Sequence, residues 1–186
     1  MDSWKKRVGL FLGSFDPFHL GHRNAVMRAL KKDLDEVWII PAMQNPWKSE
    51  EPVDIVHRFW LAHYGIKGIK KAKVVTVIVG PREDGKYYSV DQLRKIKRCF
   101  DDNIGYWIIG GTDIIPEINN WKEGDWILGN FKTLEIDRPG YVKTRSGLNI
   151  SSTQIRDYIK SNNWDKLKEF ENDNIINYIK KNNLYK

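Results

Sequence analysis

Residues 8–23 read "VGLFLGSFDPFHLGHR", and how this stretch folds decides the rest of the chain. Its first part, within residues 7–12, is short, apolar and partly β-branched, the pattern of a buried strand. From residue 20 the pattern changes. "LGHRNAVMRALKKD" (20–33) puts Ala25, Val26, Ala29 and Leu30 on one face of a helix. Between the two, Gly13 allows a close backbone approach that a side chain would block. Asp16 suits a helix cap and Pro17 tolerates a first helical turn, so a strand passes into a helix that begins near His19.

The same unit recurs. "EVWIIP" (36–41) is a second strand, followed by helical spacing in "VDIVHRFWLAHYG" up to Gly65. "AKVVTVIVG" (72–80) is a third strand, with a loop through "PREDGK" and a helix over 89–100. "GYWIIGG" and "FKTLEID" read as strands four and five, and three helical stretches follow from Ser151. Strands alternating with helices imply parallel pairing and helices on both faces of the sheet. The expected fold is therefore α/β: one Rossmann-like domain over residues 1–186, a doubly wound parallel sheet with a helical C-terminal part from about residue 151. Ligands of such sheets bind beyond the carboxyl ends of the strands. Those ends are Gly13 to His22, Ala42 to Lys48, Gly80 to Ser89, Gly111 to Asp113 and Arg138 to Tyr141.

Composition bounds the class. The chain's 186 residues are 41% apolar and 30% charged, an ordinary globular balance. A single cysteine, Cys99, makes no internal disulfide, and the apolar runs are too short to span a bilayer. The expected location is the cytoplasm, with no membrane partner. A net charge of +7 suits polyanions. Lys and Arg are scattered in small groups without interleaved aromatic platforms, which favours one small anion over a nucleic acid. Nothing in the sequence fixes an oligomeric state.

Two of the four histidines, His19 and His22, stand three apart on the first turn of that helix. Unpaired N–H groups and a positive dipole end attract anions there, and two imidazoles would complete a phosphate cradle. Two other readings stand beside this one: histidines that merely complete local hydrogen bonds, and a zinc pair, for which no compact third ligand is visible.

"GSFDPFHLGH" resembles the signature of the nucleotidyltransferase superfamily, whose first strand leads into a phosphate-binding HxGH motif. "ISSTQIR" (150–156) resembles its second signature, ISSTxIR, about 130 residues later. The second stretch has its own logic. Ser151 can cap a helix, and Ser152 and Arg156 then lie four apart on one face with Thr153 adjacent. Hydroxyls and a guanidinium fork suit a triphosphate. Between the signatures, the landmarks are similar to those of the nicotinate-nucleotide adenylyltransferases. "PAMQNPWK" resembles the loop after strand two, and Arg58 in "HRFWLA" matches a recurrent Arg. "YYSVDQL" resembles SYTxDTL, and "IIGGTDIIPEINNW" the IIGxDxL…W segment. "DRPGY" and "IINYIKKNNLY" resemble the RPG loop and the usual C-terminal ending.

That resemblance implies adenylyl transfer from ATP to nicotinate mononucleotide, giving deamido-NAD and pyrophosphate in NAD biosynthesis. It implies that His19, His22, Lys48 and Arg156 act in the transfer. Gly13, Ser14, Phe15, Gly111, Asp113, Ser152 and Thr153 would join His19, His22 and Arg156 around ATP. Ser14, Phe15, Lys48, Ser89, Trp121 and Arg138 would meet the pyridine mononucleotide, with Trp121 stacked on its ring. Mg²⁺ would arrive with ATP, and the protein would supply no metal ligands. The chain departs from the family pattern at Leu12, at Trp47, and at Tyr87 and Ser89, the last two in the expected pyridine pocket. There nicotinamide mononucleotide, giving NAD, is the alternative acceptor. More distant readings are another adenylyl- or cytidylyltransferase, such as the pantetheine-phosphate enzyme, and a non-catalytic nucleotide-binding regulator.

Overall fold

β1 (Lys6–Gly13) lies at the centre of a five-stranded sheet, and its residues alternate between two apolar layers. Val8 and Leu10 face one layer and Phe11 the other, all of them buried. The structure is a computed structural model and describes residues 4–44, 51–100, 103–136 and 150–186. β2 (Glu36–Pro41) pairs with one edge of β1, with Leu10 opposite Trp38, and β4 (Ile104–Gly110) pairs with the other, with Leu10 opposite Ile108. β3 (Ala72–Val74) and β5 (Lys132–Glu135) lie outside them, giving the order β3-β2-β1-β4-β5 with every pairing parallel.

Helices cover both faces. α1 (Leu20–Leu30) buries Ala25, Val26 and Ala29, and α2 (Ile55–Gly65) buries Arg58, Leu61, Ala62 and Gly65. They share a core with α5 (Ser152–Lys160), α6 (Trp164–Leu167) and α7 (Asp173–Lys181). On the opposite face α3 (Ser89–Cys99) and α4 (Gly124–Asn130) cover Val8, Leu10, Ile40 and Ile108. This is the doubly wound α/β arrangement expected from the alternation of elements. No described helix is long and apolar enough to cross a membrane.

Three local expectations need correction. The third strand stops at Val74 instead of Gly80. Its neighbour β2 ends at Pro41, which has no N–H to continue the ladder. Beyond Val74, side chains of α3 take over: Gln92 Nε2 donates to the carbonyls of Pro41 (3.1 Å) and Val77 (2.9 Å), and Lys95 Nζ to that of Ile78 (2.9 Å). The helix expected over 20–33 ends at Leu30. Asp16 does not cap it. His19 does, while Asp16 turns its carboxylate to the Val53 amide (3.3 Å) and the Tyr185 hydroxyl (2.8 Å).

Candidate active site

β1 ends at Gly13, whose carbonyl accepts from the Ala42 amide beyond β2 (2.8 Å). β4 ends beside it, so the reversal in strand order falls between β1 and β4. Crevices at such reversals are where open α/β sheets take ligands. A Cβ on Gly13 would lie 2.9 Å from the Phe15 ring, and this close approach explains the glycine. Phe15 itself has φ +51 and a buried side chain, so only its backbone can meet a ligand.

His19 and His22 are brought together as expected. Their rings stack with centroids 3.7 Å apart, and the His19 amide donates to His22 Nδ1 (3.2 Å). Because Nδ1 accepts, Nε2 carries the proton of His22 and acts as its donor. Phe15 and Phe18 hold that ring from the side, with centroids 5.0 and 5.2 Å away. Gly21, the glycine of HxGH, is needed for the stack, because a Cβ there would lie 2.9 Å from the His19 ring.

The second motif reaches the same place. Ser151 caps α5, accepting from the Gln154 amide (3.2 Å), while Gln154 Oε1 accepts from the Ser151 amide (2.9 Å). Such a reciprocal cap holds the helix start rigid. Ser152 and Arg156 then share a face, and both touch the loop between β1 and α1. Ser152 Oγ donates to the Pro17 carbonyl (3.0 Å) and Arg156 Nη1 to that of Asp16 (2.8 Å). Thr153 Oγ1 lies 3.4 Å from Arg156 Nη2. Two helix starts more than 130 residues apart in sequence therefore meet at one loop.

The remaining expected residues among those described come from the segments after β3 and β4. Gly111 follows β4, and its carbonyl accepts from the amides of Ile114 and Ile115 (3.0 and 3.1 Å), with half-buried Asp113 in the same turn. Ser89 opens α3, and Trp121 follows a 3-10 turn, Pro116–Asn120. Trp121 and Tyr88 pack against the core beneath α3 and α4, and Lys122 Nζ lies 5.8 Å from the centre of the Tyr88 ring. The segments bearing Ser89 and Trp121 are thus neighbours. Lys48 and Arg138 lie outside the described residues. Among the described residues no group of three or more His, Cys, Asp and Glu side chains gathers where it could hold a metal ion.

The sequence singles out Arg58 by resemblance but gives it no role, and this residue holds the crevice in shape. Arg58 is buried in α2, and burial lowers its affinity for its proton. It donates to four backbone carbonyls: Val53 (2.8 Å), Ser14 (3.0 Å), Met43 (2.8 Å) and Ala42. It thereby ties the loop after β1 to the loop after β2. One signal was available, since Arg58 shares a helical stripe with Leu61, Ala62 and Gly65, where a charge calls for buried acceptors.

The cytidylyltransferase-like family matches residues 10–158, which include both motifs. The nicotinate-nucleotide adenylyltransferase of Bacillus subtilis (strain 168) is 30% identical over 192 residues, covering 97% of this chain and 98% of that protein. The structure of Plasmodium falciparum nicotinic acid mononucleotide adenylyltransferase complexed with NaAD matches with a TM-score of 0.75 at 22% identity, over 97% of each chain. The same protein complexed with APC gives 0.71, likewise over 97% of each chain and at 22% identity. At that identity the likeness is one of fold. Two motifs converging on one loop, a family match across both, and a full-length relative agree: the chain belongs to the cytidylyltransferase-like family of nucleotidyltransferases, and within it to the nicotinate-nucleotide adenylyltransferases.

Proposed function

We propose that the protein transfers the adenylyl group of ATP to nicotinate mononucleotide, producing deamido-NAD and pyrophosphate. A phosphate oxygen of the mononucleotide attacks the α-phosphorus of ATP in line, the bond to the β-phosphate bridge breaks, and pyrophosphate leaves with the electron pair. Phosphate is a nucleophile at neutral pH, so the protein supplies alignment and charge stabilisation and needs no base.

In this reading the backbone of Gly13, Ser14 and Phe15 and the imidazoles of His19 and His22 face the ATP phosphates. His22 Nε2–H is the donor to charge growing on the leaving group. Ser152, Thr153 and Arg156 meet the same triphosphate from the other helix start, and Gly111 and Asp113 meet the nucleoside. Trp121 and Ser89 belong to the pyridine pocket, Lys48 closes on phosphates, and Arg138 meets the mononucleotide. Mg²⁺ enters as part of the ATP complex, held by phosphates and water. The reaction runs in the cytoplasm, consistent with a chain whose lone cysteine makes no internal disulfide.

The observation that supports this most is the meeting of Ser152 and Arg156 with the Asp16–Pro17 carbonyls, one turn before the stacked histidines. The test is pyrophosphate release from ATP with nicotinate mononucleotide, nicotinamide mononucleotide and phosphopantetheine in turn. Fastest release with the nicotinate substrate is expected. Faster release with nicotinamide mononucleotide would make the protein an NAD-forming enzyme, as the changes at Tyr87 and Ser89 allow. Release only with phosphopantetheine, or with none, overturns the reading.

A further inference from the structure

Asp16 stands where four segments of the chain meet. Its Oδ1 accepts from the Tyr185 hydroxyl (2.8 Å) and from the Val53 amide (3.3 Å). Its backbone carbonyl accepts from Arg156 Nη1 (2.8 Å), yet its Oδ2 stops 3.8 Å from that same nitrogen. The Arg156 and Asp16 side chains are 15% and 13% exposed, so the contact is largely shielded from water. A carboxylate and a guanidinium this close and this sheltered normally close into a forked pair. Here Oδ1 is engaged by Tyr185 and Val53 instead, and Oδ2 stays at ion-pair distance from Arg156 without a hydrogen bond.

The residue that holds it comes from the chain's penultimate position, 169 residues away. Tyr185 has φ +64, a backbone conformation that a non-glycine residue adopts only when its surroundings hold it. Its side chain is half-buried, with Asp16, Arg156 and Arg58 the charged groups acting on its hydroxyl. Arg58 also feels the Asp16 carboxylate, so two guanidinium groups act on it. Which of them it serves depends on what grips Oδ1.

We propose that Tyr185 is a positioning residue for the adenylyl transfer: its hydroxyl keeps the Asp16 carboxylate out of hydrogen-bond contact with Arg156, so that the donors of this guanidinium are not taken up by Asp16 and act on the ATP phosphates. The proposal rests on the reading of Arg156 as a triphosphate ligand. The arrangement lets Asp16 hydrogen-bond Arg156 through a neutral carbonyl while its carboxylate stays at ion-pair distance. Without the hydroxyl, Val53 alone holds Oδ1, at a longer distance. The carboxylate then swings onto Arg156 and competes with substrate.

The test is Tyr185→Phe, followed by ATP titration calorimetry and steady-state kinetics. The expected result is a Kd and KM for ATP raised about tenfold, the scale of one charge-assisted contact, with the KM for the mononucleotide within about twofold. Adding Asp16→Asn to Tyr185→Phe removes the competing charge and recovers most of the ATP affinity, which a merely loosened C-terminus would not allow. Unchanged ATP affinity in Tyr185→Phe overturns the proposal. So does a loss that Asp16→Asn leaves in place, or an equal loss for both substrates with a lowered melting temperature. If Tyr185→Phe does not fold, Asp16→Asn alone decides. ATP binding at least as tight as in the parent supports the role, and weaker binding refutes it. The calorimetry needs no turnover, so failure of the parent protein with every acceptor would sink the proposed reaction and leave this test intact.

Discussion

Gly21 is where one missing methyl group matters most. A Cβ at that position would lie 2.9 Å from two atoms of the His19 ring, and the ring cannot yield without leaving its stack on His22. Gly21→Ala is therefore expected to keep the fold and lose activity. His22→Ala should lose about a hundredfold to a thousandfold in kcat, the usual effect of removing one preorganised donor. Gly21→Ala should fall short of that, because Nε2 of His22 survives. Single-turnover rates with ATP and nicotinate mononucleotide check both; a Gly21→Ala rate equal to that of the parent would show that the stack is dispensable. Trp121 gives a separable outcome. It is half-buried against the core beneath α3 and α4, so Trp121→Ala should raise the KM for the mononucleotide and leave that for ATP nearly unchanged. The reverse pattern would remove it from the pyridine pocket. At this scale sequence exposed the residues with unusual chemistry for their position, such as a histidine pair at a helix start. It did not expose Asp16 and Tyr185, because an acid before a helix looks like a cap and a terminal tyrosine looks like packing. Their pairing exists only once the chain's two ends have met.

Helix ends and strand ends carry most of the differences between expectation and structure. α4 had no expected counterpart, although parallel neighbours such as β4 and β5 need a crossover of a dozen residues or more. With Gly124 at its start and Gly129 inside it, its propensity signal is weak. Its place is fixed by tertiary contacts instead. Glu123, at the head of α4, accepts from Arg82 Nη2 (2.7 Å) and from Arg94. Those hydrogen bonds hold its carboxyl at about 2. The junction between α6 and α7 holds the opposite case. Glu171 is buried, with no hydrogen-bond partner among the described residues, and burial pushes its carboxyl well above the usual range. It follows Phe170, whose carbonyl accepts from the Leu20 amide (3.2 Å) at the start of α1. A carboxyl protonated in the folded state and ionised in the unfolded one costs stability as pH rises. Its contribution is fully present below the unfolded value, about 4.3, and declines steadily toward neutral pH. Glu171→Leu should therefore stabilise the protein at pH 7 by ~1–3 kcal/mol, the cost of an unsatisfied buried group. That corresponds to a melting temperature higher by about 2–4 °C per kcal/mol for a chain of this size. Thermal melts of the variant and the parent from pH 4 to pH 7 check the sign. A gap that widens with pH is expected, and one that shrinks would mean the carboxyl is ionised and paired.

Across the whole molecule, alternation of elements made the parallel sheet legible and the carboxyl-end rule made the candidate crevice legible. The lateral order of strands was not, because alternation leaves open on which side of β1 each later strand is laid. Placing β4 beside β1 is what brings Gly111 next to Gly13, and packing α5 into the core of α1 and α2 is what brings Arg156 to Asp16. The site is thus a property of the closed fold, since neither helix start owns it. A ligand gripped by both must bind the native arrangement and not its parts, and its stabilisation is then shared by both segments. At a hundred times its Kd, ATP should add about 2.7 kcal/mol to global stability. Hydrogen exchange would show where that free energy is felt. Amides near residues 13–22 and 151–156 should gain protection together, with one midpoint in ATP concentration, although more than 130 residues separate them. In Arg156→Ala both segments should lose the effect, including the one the substitution does not touch, because ATP held by one helix start alone binds far less tightly. Protection confined to the first segment, with the second exchanging as in the free protein, would mean that the two motifs meet in the fold without sharing a substrate.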